Sequence, residues 1–152
     1  MSDYIKFTIL GEPVGKGRPK FSTVNGHAVA YTPKKTANYE TLVKLAYQTA
    51  YPQCKPFDKG VQLRMQINAY FQIPKSANKK KTAQMECGEV RPTKKPDCDN
   101  VVKAVCDALN GIAYYDDSQI TEMHIGKYYS CSPRCEVEIW RNGNADQYMG
   151  EG

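Results

Sequence analysis

The sequence predicts an α+β fold, a single compact domain in which a mixed β-sheet packs against helices. Three observations predict it. Over residues 61–71, VQLRMQINAYF, apolar and polar side chains alternate with the period of a half-buried strand. Over 98–110 apolar residues recur at helical spacing. The elements run strand, hairpin, helix, strand, short helix, helix, strand, strand, an order that suits a mixed sheet. A length of 152 residues fits one domain. That domain is expected to occupy 1–141, leaving 142–152 as a polar, flexible tail.

Each element has its own local signal. Residues 4–10, YIKFTIL, are β-branched and aromatic, which reads as a strand. Pro13, Gly15, Gly17 and Pro19 then make a loop. Asn25-Gly26 lies between RPKFS and AVAYT and predicts a tight hairpin, because both residues tolerate positive φ. Residues 36–50 read as a helix with Thr36 as N-cap and Leu42, Leu45, Ala46 and Thr49 along its apolar stripe. Pro52 and Pro56 forbid its continuation. Residues 61–71 give a strand with Val61, Leu63, Met65, Ile67 and Ala69 on one face. A short helix is expected near 76–87, within a basic stretch expected to stay mobile until it meets a partner. In the helix over 98–110, Cys98, Val101, Val102, Val105, Cys106 and Leu109 form the face that docks on the sheet, and Gly111 caps its end. Two strands, 119–130 and 134–140, turn at Ser132-Pro133.

Composition excludes several classes. The 41% hydrophobic and 24% charged fractions argue against a wholly disordered chain. Apolar runs are too short for a membrane span, and the opening MSDYIKFTILGEP lacks a basic region followed by an apolar one, so no signal peptide is expected. The six cysteines, Cys54, Cys87, Cys98, Cys106, Cys131 and Cys135, show no C-x-x-C spacing, and His27 and His124 lie far apart. Free, mostly buried thiols are therefore expected rather than disulfides or zinc.

Charge is unevenly divided. Residues 1–96 hold 17 Lys/Arg and 6 Asp/Glu, a balance of +11, whereas 97–152 hold 4 and 10, a balance of −6. Such asymmetry points to a nucleic-acid partner. Five of those acids, Asp97, Asp99, Asp107, Asp116 and Asp117, fall within twenty-one residues. A single acid at a helix start is explained as an N-cap, favoured by the helix dipole. Two acids there, with a second pair in the following loop, are not. Four converging carboxylates repel one another unless a divalent cation neutralises them. Oxygen ligands with water suit Mg²⁺ or Mn²⁺, and such a site beside a basic surface suits phosphodiester hydrolysis. Lys103, one turn beyond Asp99, either offsets charge developing at phosphorus or pairs with Asp99 or Asp107 along the helix.

Look-alike motifs fail in detail. Asp97-Cys98-Asp99-Asn100 begins like a calcium loop, but the sixth position holds Val102 instead of Gly and the twelfth-position Glu is missing. Gly11 to Gly17, GEPVGKG, is one residue short of a nucleotide phosphate loop and lacks its Ser or Thr. No nucleotide cofactor is expected.

The segment from Lys95 to Ile120, K-P-D-x-D-N-x-x-K-x-x-x-D-A-L-N-G followed by D-D-x-Q-I, resembles the RusA family of Holliday junction resolvases of bacteria and their prophages. G-K-G-R-P-K-F at Gly15 to Phe21, followed by Y-T-P at Tyr31 to Pro33, is a looser match to the same family. The resemblance implies a RusA-like fold and a Mg²⁺-dependent endonuclease, Mn²⁺ substituting, that acts as a homodimer on four-way DNA junctions in the cytoplasm of a bacterial or phage-infected cell. It places the catalytic acids on Asp97, Asp99 and Asp117, also the metal ligands, with Lys103 as the supporting base or charge partner. Asp116 matches the first acid of the family's pair in a secondary role behind the metal ligands, and Asn100 and Asp107 also match, with capping and support of the helix as their ordinary role. Lys16, Arg18 and Lys20, and the stretch with Lys79, Lys80, Lys81, Arg91, Lys94 and Lys95, are then expected to line the DNA channel. Tyr114 and Tyr115 are read as packing and rim aromatics. The alternatives are a broader flap or branched-DNA nuclease and a non-catalytic basic DNA binder.

Overall fold

Backbone hydrogen bonding in the computed structural model, which describes residues 3–31 and 33–142, yields six strands and three helices. β1 is Tyr4–Leu10, β2 Lys20–Val24 and β3 His27–Tyr31. α1 is Lys34–Ala50, β4 Leu63–Gln72, α2 Lys79–Glu86 and α3 Cys98–Leu109. A 3₁₀ turn, Asp117–Gln119, leads into β5, Ile120–Ser130, and β6 is Arg134–Arg141. The main sheet has the order β1-β6-β4-β5, with β4 and β5 parallel and the other neighbours antiparallel. It is the mixed sheet of the expected α+β domain.

Alternation decides which face of the sheet is covered. Ile5, Phe7 and Ile9 of β1, Leu63, Met65, Ile67, Ala69 and Phe71 of β4, and Cys135, Val137 and Ile139 of β6 are all buried. α1 and α3 pack over this face and against each other. The opposite face carries a ladder in which Arg91 stacks on Tyr128, Tyr128 on Tyr70 and Tyr70 on Arg134.

β2 and β3 form a separate two-stranded arm whose residues are all exposed. Its turn is Asn25-Gly26, with φ of 52° and 80°, the pairing of positive values that a type I′ hairpin requires.

α1 corrects two expectations. It begins two residues early, with Pro33 at the N-cap, so Thr36 lies inside the helix and its hydroxyl accepts a hydrogen bond from the Gly17 N–H instead. The buried stripe is Thr36, Tyr39, Val43 and Tyr47, while Leu42 and Leu45 are about half exposed. Both stripes have helical period. The aromatic one wins because Tyr47 packs edge-on against Phe7 in the sheet, at 5.5 Å between ring centroids.

Smaller differences follow from burial. Cys98 is exposed at the first turn of α3, and Ala104 and Ala108 join the buried face. The six cysteines are free, yet only Cys106 and Cys135 are buried. The 74–96 stretch is anchored: Met85 and Pro92 are buried and Arg91 Nε donates to the Lys127 carbonyl at 2.8 Å. The tail expected over 142–152 lies, from residue 143 onward, outside the described residues. Among the described residues no helix is long and apolar enough to cross a membrane.

Candidate active site

α3 presents the acids because its other side is committed to the core. Val101, Ala104, Val105, Ala108 and Leu109 are buried, which turns Asp99, Lys103, Asp107 and Asn110 toward solvent. Asp97 occupies the N-cap with an extended backbone, but its carboxylate makes no capping hydrogen bond. Asp99 is exposed in the first turn, where the helix dipole favours an anion. Neither acid enters an ion pair with a described residue, and neither does Lys103. The capping role for Asp97 and the intrahelical pairing for Lys103 are therefore not realised, and all three groups are uncommitted.

The second acid pair is held by hydrogen bonds. Asp116 caps the 3₁₀ turn, its carboxylate accepting from the Ser118 N–H at 3.2 Å, and that bond lowers its pKa. Asp117 has its backbone N–H bound to Asn110 Oδ1 at 2.9 Å. Gln119 braces the loop, accepting from the N–H groups of Tyr115 and Asp116 and donating to the carbonyls of Asp58 and Val61. Partial burial, with the negative fields of Asp116 and Asp107, pushes the Asp117 carboxyl above the ordinary value.

These acids form two groups. Asp97 and Asp99 mark the start of α3, while Asp117 is tied to Asn110 at its end. Roughly 16 Å of helix separates Asp99 from Asn110 at 1.5 Å per residue. Among the described residues no three carboxylate, imidazole or thiol groups gather as a metal would need. The expected convergence of Asp97, Asp99 and Asp117 is thus not formed within one protomer, because Asp97 and Asp99 begin α3 whereas Asp117 lies in the 3₁₀ turn beyond its other end. Asp97 and Asp99 alone still suit Mg²⁺, which binds through one or two carboxylates and keeps several waters.

Beside Asp97 lies a cleft of about 600 Å³ between the 13–20 loop, the start of α1 and the Lys95–Pro96 segment. The loop is fastened on both sides. The Lys16 N–H donates to the Asn100 carbonyl at 2.8 Å, and Lys16 Nζ reaches Glu40 Oε1 on α1 at 2.6 Å and Asp107 Oδ2 on α3 at 3.4 Å. A Cβ on Gly15 would stand 2.6 Å from Pro96 Cβ, so only glycine lets the loop approach this closely.

A profile described as Endodeoxyribonuclease RusA matches residues 11–140, which spans the loop, the cleft and both acid groups. The chain belongs to the RusA endodeoxyribonuclease family. It is 42% identical over 139 residues to a Bacillus subtilis (strain 168) protein named Uncharacterized protein YqaN, covering 90% of this chain and 96% of the relative. It is 28% identical over 135 residues to a Lactococcus phage r1t protein named Crossover junction endodeoxyribonuclease rusA, covering 88% and 94%.

In this RusA-family chain the basic residues divide into committed and free. Lys16 lines the cleft but spends its ammonium on Glu40 and Asp107, which makes it a fastening of the loop. Arg91 is stacked on Tyr128, with its guanidinium carbon 4.1 Å from the ring centroid, and Lys94 lies 5.9 Å from the Phe71 centroid. Arg18, Lys20 and Lys95 are exposed around the cleft. Lys79, Lys80 and Lys81 are exposed on the first turn of α2, where the dipole disfavours cations and only the Asn78 side chain, bound to the Lys81 N–H, caps the helix. Tyr114 is buried with its hydroxyl on the Cys106 carbonyl at 2.8 Å, and Tyr115 is exposed.

Three supporting residues went unread in the sequence. Lys35 lines the cleft from the first turn of α1, and a lysine pair at a helix start was an available signal. Asn110 and Gln119 act through hydrogen bonds that only the folded loop creates.

Proposed function

We propose that this RusA-family chain is a Mg²⁺-dependent, structure-selective endonuclease that resolves four-way DNA junctions as a homodimer, by paired phosphodiester hydrolysis. One observation carries the reading: Asp97 and Asp99, whose carboxylates are uncommitted, adjoin Pro96 and Asn100, which line a cleft that also holds unpaired cations. A relative named as a crossover junction endodeoxyribonuclease supports the choice of substrate. Work on chromosomal or phage DNA places the enzyme in the cytoplasm.

Asp97 and Asp99 would hold the ion, with Mn²⁺ as a substitute. When bound, the ion supplies charge neutralisation at the phosphoryl oxygens and acidifies water at neutral pH. Lys103 offers a positive charge one turn away for the charge that builds on phosphorus. Asp117 is assigned to catalysis with them from its motif position, while Asp116 and Asp107 hold the loops around it. Arg18, Lys20, Lys95 and the Lys79–Lys81 cluster neutralise phosphates of the arms. Water attack that breaks the P–O3′ bond, with the 3′ oxygen leaving and taking up a proton, gives 5′-phosphate and 3′-hydroxyl ends. Two symmetric cuts need two identical sites, which a two-fold dimer provides.

A non-catalytic binder would have no use for unpaired acids next to phosphate. The test incubates the protein with a labelled four-way junction and a matched duplex, with Mg²⁺ or with chelator. Cutting of the junction only with Mg²⁺ is expected. Binding without cutting in every metal condition would overturn the enzyme reading, and equal cutting of duplex or flaps would replace it with the broader nuclease. Asp97→Asn and Asp99→Asn are each expected to abolish cutting and keep or tighten binding, since both remove negative charge beside phosphate.

A further inference from the structure

The cleft beside Asp97 is more than a phosphate track. Its volume of about 600 Å³ matches that of a small-molecule site, and its mouth opens broadly to solvent. Its walls are apolar, formed by Pro13, Val14, Pro19, Pro33 and Pro96. Four cations without ion pairs among the described residues, Arg18, Lys20, Lys35 and Lys95, also line it, beside Lys16, which is paired with Glu40 and Asp107. A surface that only follows a backbone needs cations and no recess. Cations around an apolar recess match a ligand with one anionic part and one flat, weakly polar part.

We propose that this cleft receives a single unstacked nucleotide of the DNA strand next to the phosphate served by Asp97 and Asp99, its base against the proline walls and its phosphates on the four cations. The proposal rests on the nuclease reading above and adds to it the conformation in which the substrate is held. Every base has an apolar face, so the walls accept any of them. Asn100 lines the same cleft, is half-buried and makes no side-chain hydrogen bond to a described residue. An amide donates and accepts at once, which fits the edge of an extruded base and gives the cleft a means of sequence preference.

The recess is formed before DNA arrives. Lys16 and Gly17 fasten its loop to α3 and α1 through the Asn100 carbonyl and the Thr36 hydroxyl, and Gly15 lies against Pro96. No side chain has to leave to admit a base. Branch-point nucleotides lack a continuous stacking partner, so drawing one out costs less there than in duplex. A cleft that demands an extruded nucleotide would therefore favour branched over linear DNA without reading any sequence.

The experiment places 2-aminopurine, whose fluorescence rises when it leaves the stack, at single positions flanking the mapped cleavage phosphate of a four-way junction. Full-length protein is added in chelator, which blocks cutting. A several-fold rise is expected at one flanking position on binding. Lys35→Ala and Asn100→Ala should each reduce that rise, and Lys35→Ala should lower the salt slope of junction affinity by about 0.7–0.9 for each protomer engaged. An abasic site at the same position should weaken wild-type binding several-fold and the Asn100→Ala variant less. If every flanking position stays quenched while the protein binds, and cuts once Mg²⁺ is supplied, the cleft proposal fails and the nuclease reading stands. A rise untouched by both variants would place the extruded base elsewhere and also overturn it. Failure to bind or cut the junction would remove both readings.

Discussion

Replacing Lys16 with methionine separates a structural lysine from a DNA contact. Methionine keeps most of the apolar stem and removes the charge. Lys16 Nζ is 2.6 Å from Glu40 Oε1 and 3.4 Å from Asp107 Oδ2, with side-chain exposures of 23% for the lysine and 18% for Glu40. Hydrogen bonds to charged groups contribute about 1.5–3 kcal/mol, and the solvent that still reaches this pair puts its value near the lower end. The Asp107 contact is longer and its acid 40% exposed, so it adds little. A loss of about 2 kcal/mol corresponds to a Tm lowered by about 4–8 °C in a chain of this size. The pH dependence has a definite sign. Burial pulls the Lys16 pKa down, the bonds to Glu40 and Asp107 outweigh it, and the net value is raised above 10.5. The lysine's side of this stabilisation is thus complete below 10.5 and fades as pH climbs through the raised value, so from neutral pH upward the gap between wild type and variant should close in strong alkali. Thermal unfolding across pH measures this, and junction affinity across salt runs in parallel. The salt slope should be unchanged. A variant with wild-type Tm and a slope lowered by about 0.9 would make Lys16 a phosphate ligand and refute the reasoning.

Other substitutions probe the same construction. Gly15→Ala drives a Cβ to within 2.6 Å of Pro96 and should cost about 1–3 kcal/mol in urea unfolding, by overpacking the wall of the cleft. Asn110→Ala leaves the Asp117 N–H without its acceptor; a loss of about 1 kcal/mol and reduced cutting with unchanged junction affinity are expected, read by denaturation and by cleavage and binding assays. Asp117→Asn should raise Tm at neutral pH, because ionising Asp117 opposes folding once pH exceeds its ordinary carboxyl range; the gain should vanish on acidification below 3.8, and a pH-independent gain would contradict the cause assigned. Val43→Ala should cost about 2 kcal/mol or more, whereas Leu45→Gln should stay within about 0.5 kcal/mol, comparing the stripe α1 buries with the one it exposes.

α1 shows why part of the fold was illegible. Its sequence carries two stripes of helical period, Leu42-Leu45-Ala46-Thr49 and Tyr39-Val43-Tyr47, and hydropathy alone favours the leucines. The choice was made by what lies beneath, since Phe7 on the sheet offers an edge that fits Tyr47. β4 and α3 were legible because each has one apolar face and no rival. The same contrast governs the candidate site. The acids and the motif around them were readable from their spacing, and the family match covers them. Which cations are free was not, because Lys16 and Lys20 look alike in sequence until Glu40 and Asp107 close on the first.

The α+β order of elements, the hairpin at Asn25-Gly26, the family, and the concentration of acids between Asp97 and Asp117 are all legible in the linear chain. These follow from local periodicity, turn chemistry and charge, which need no knowledge of distant residues. The separation of Asp97 and Asp99 from Asp117, the fastening made by Lys16, and the cleft walled by prolines from three separate segments emerge on folding. Those facts depend on the length of α3 and on contacts between segments far apart in the chain, and no local pattern records them.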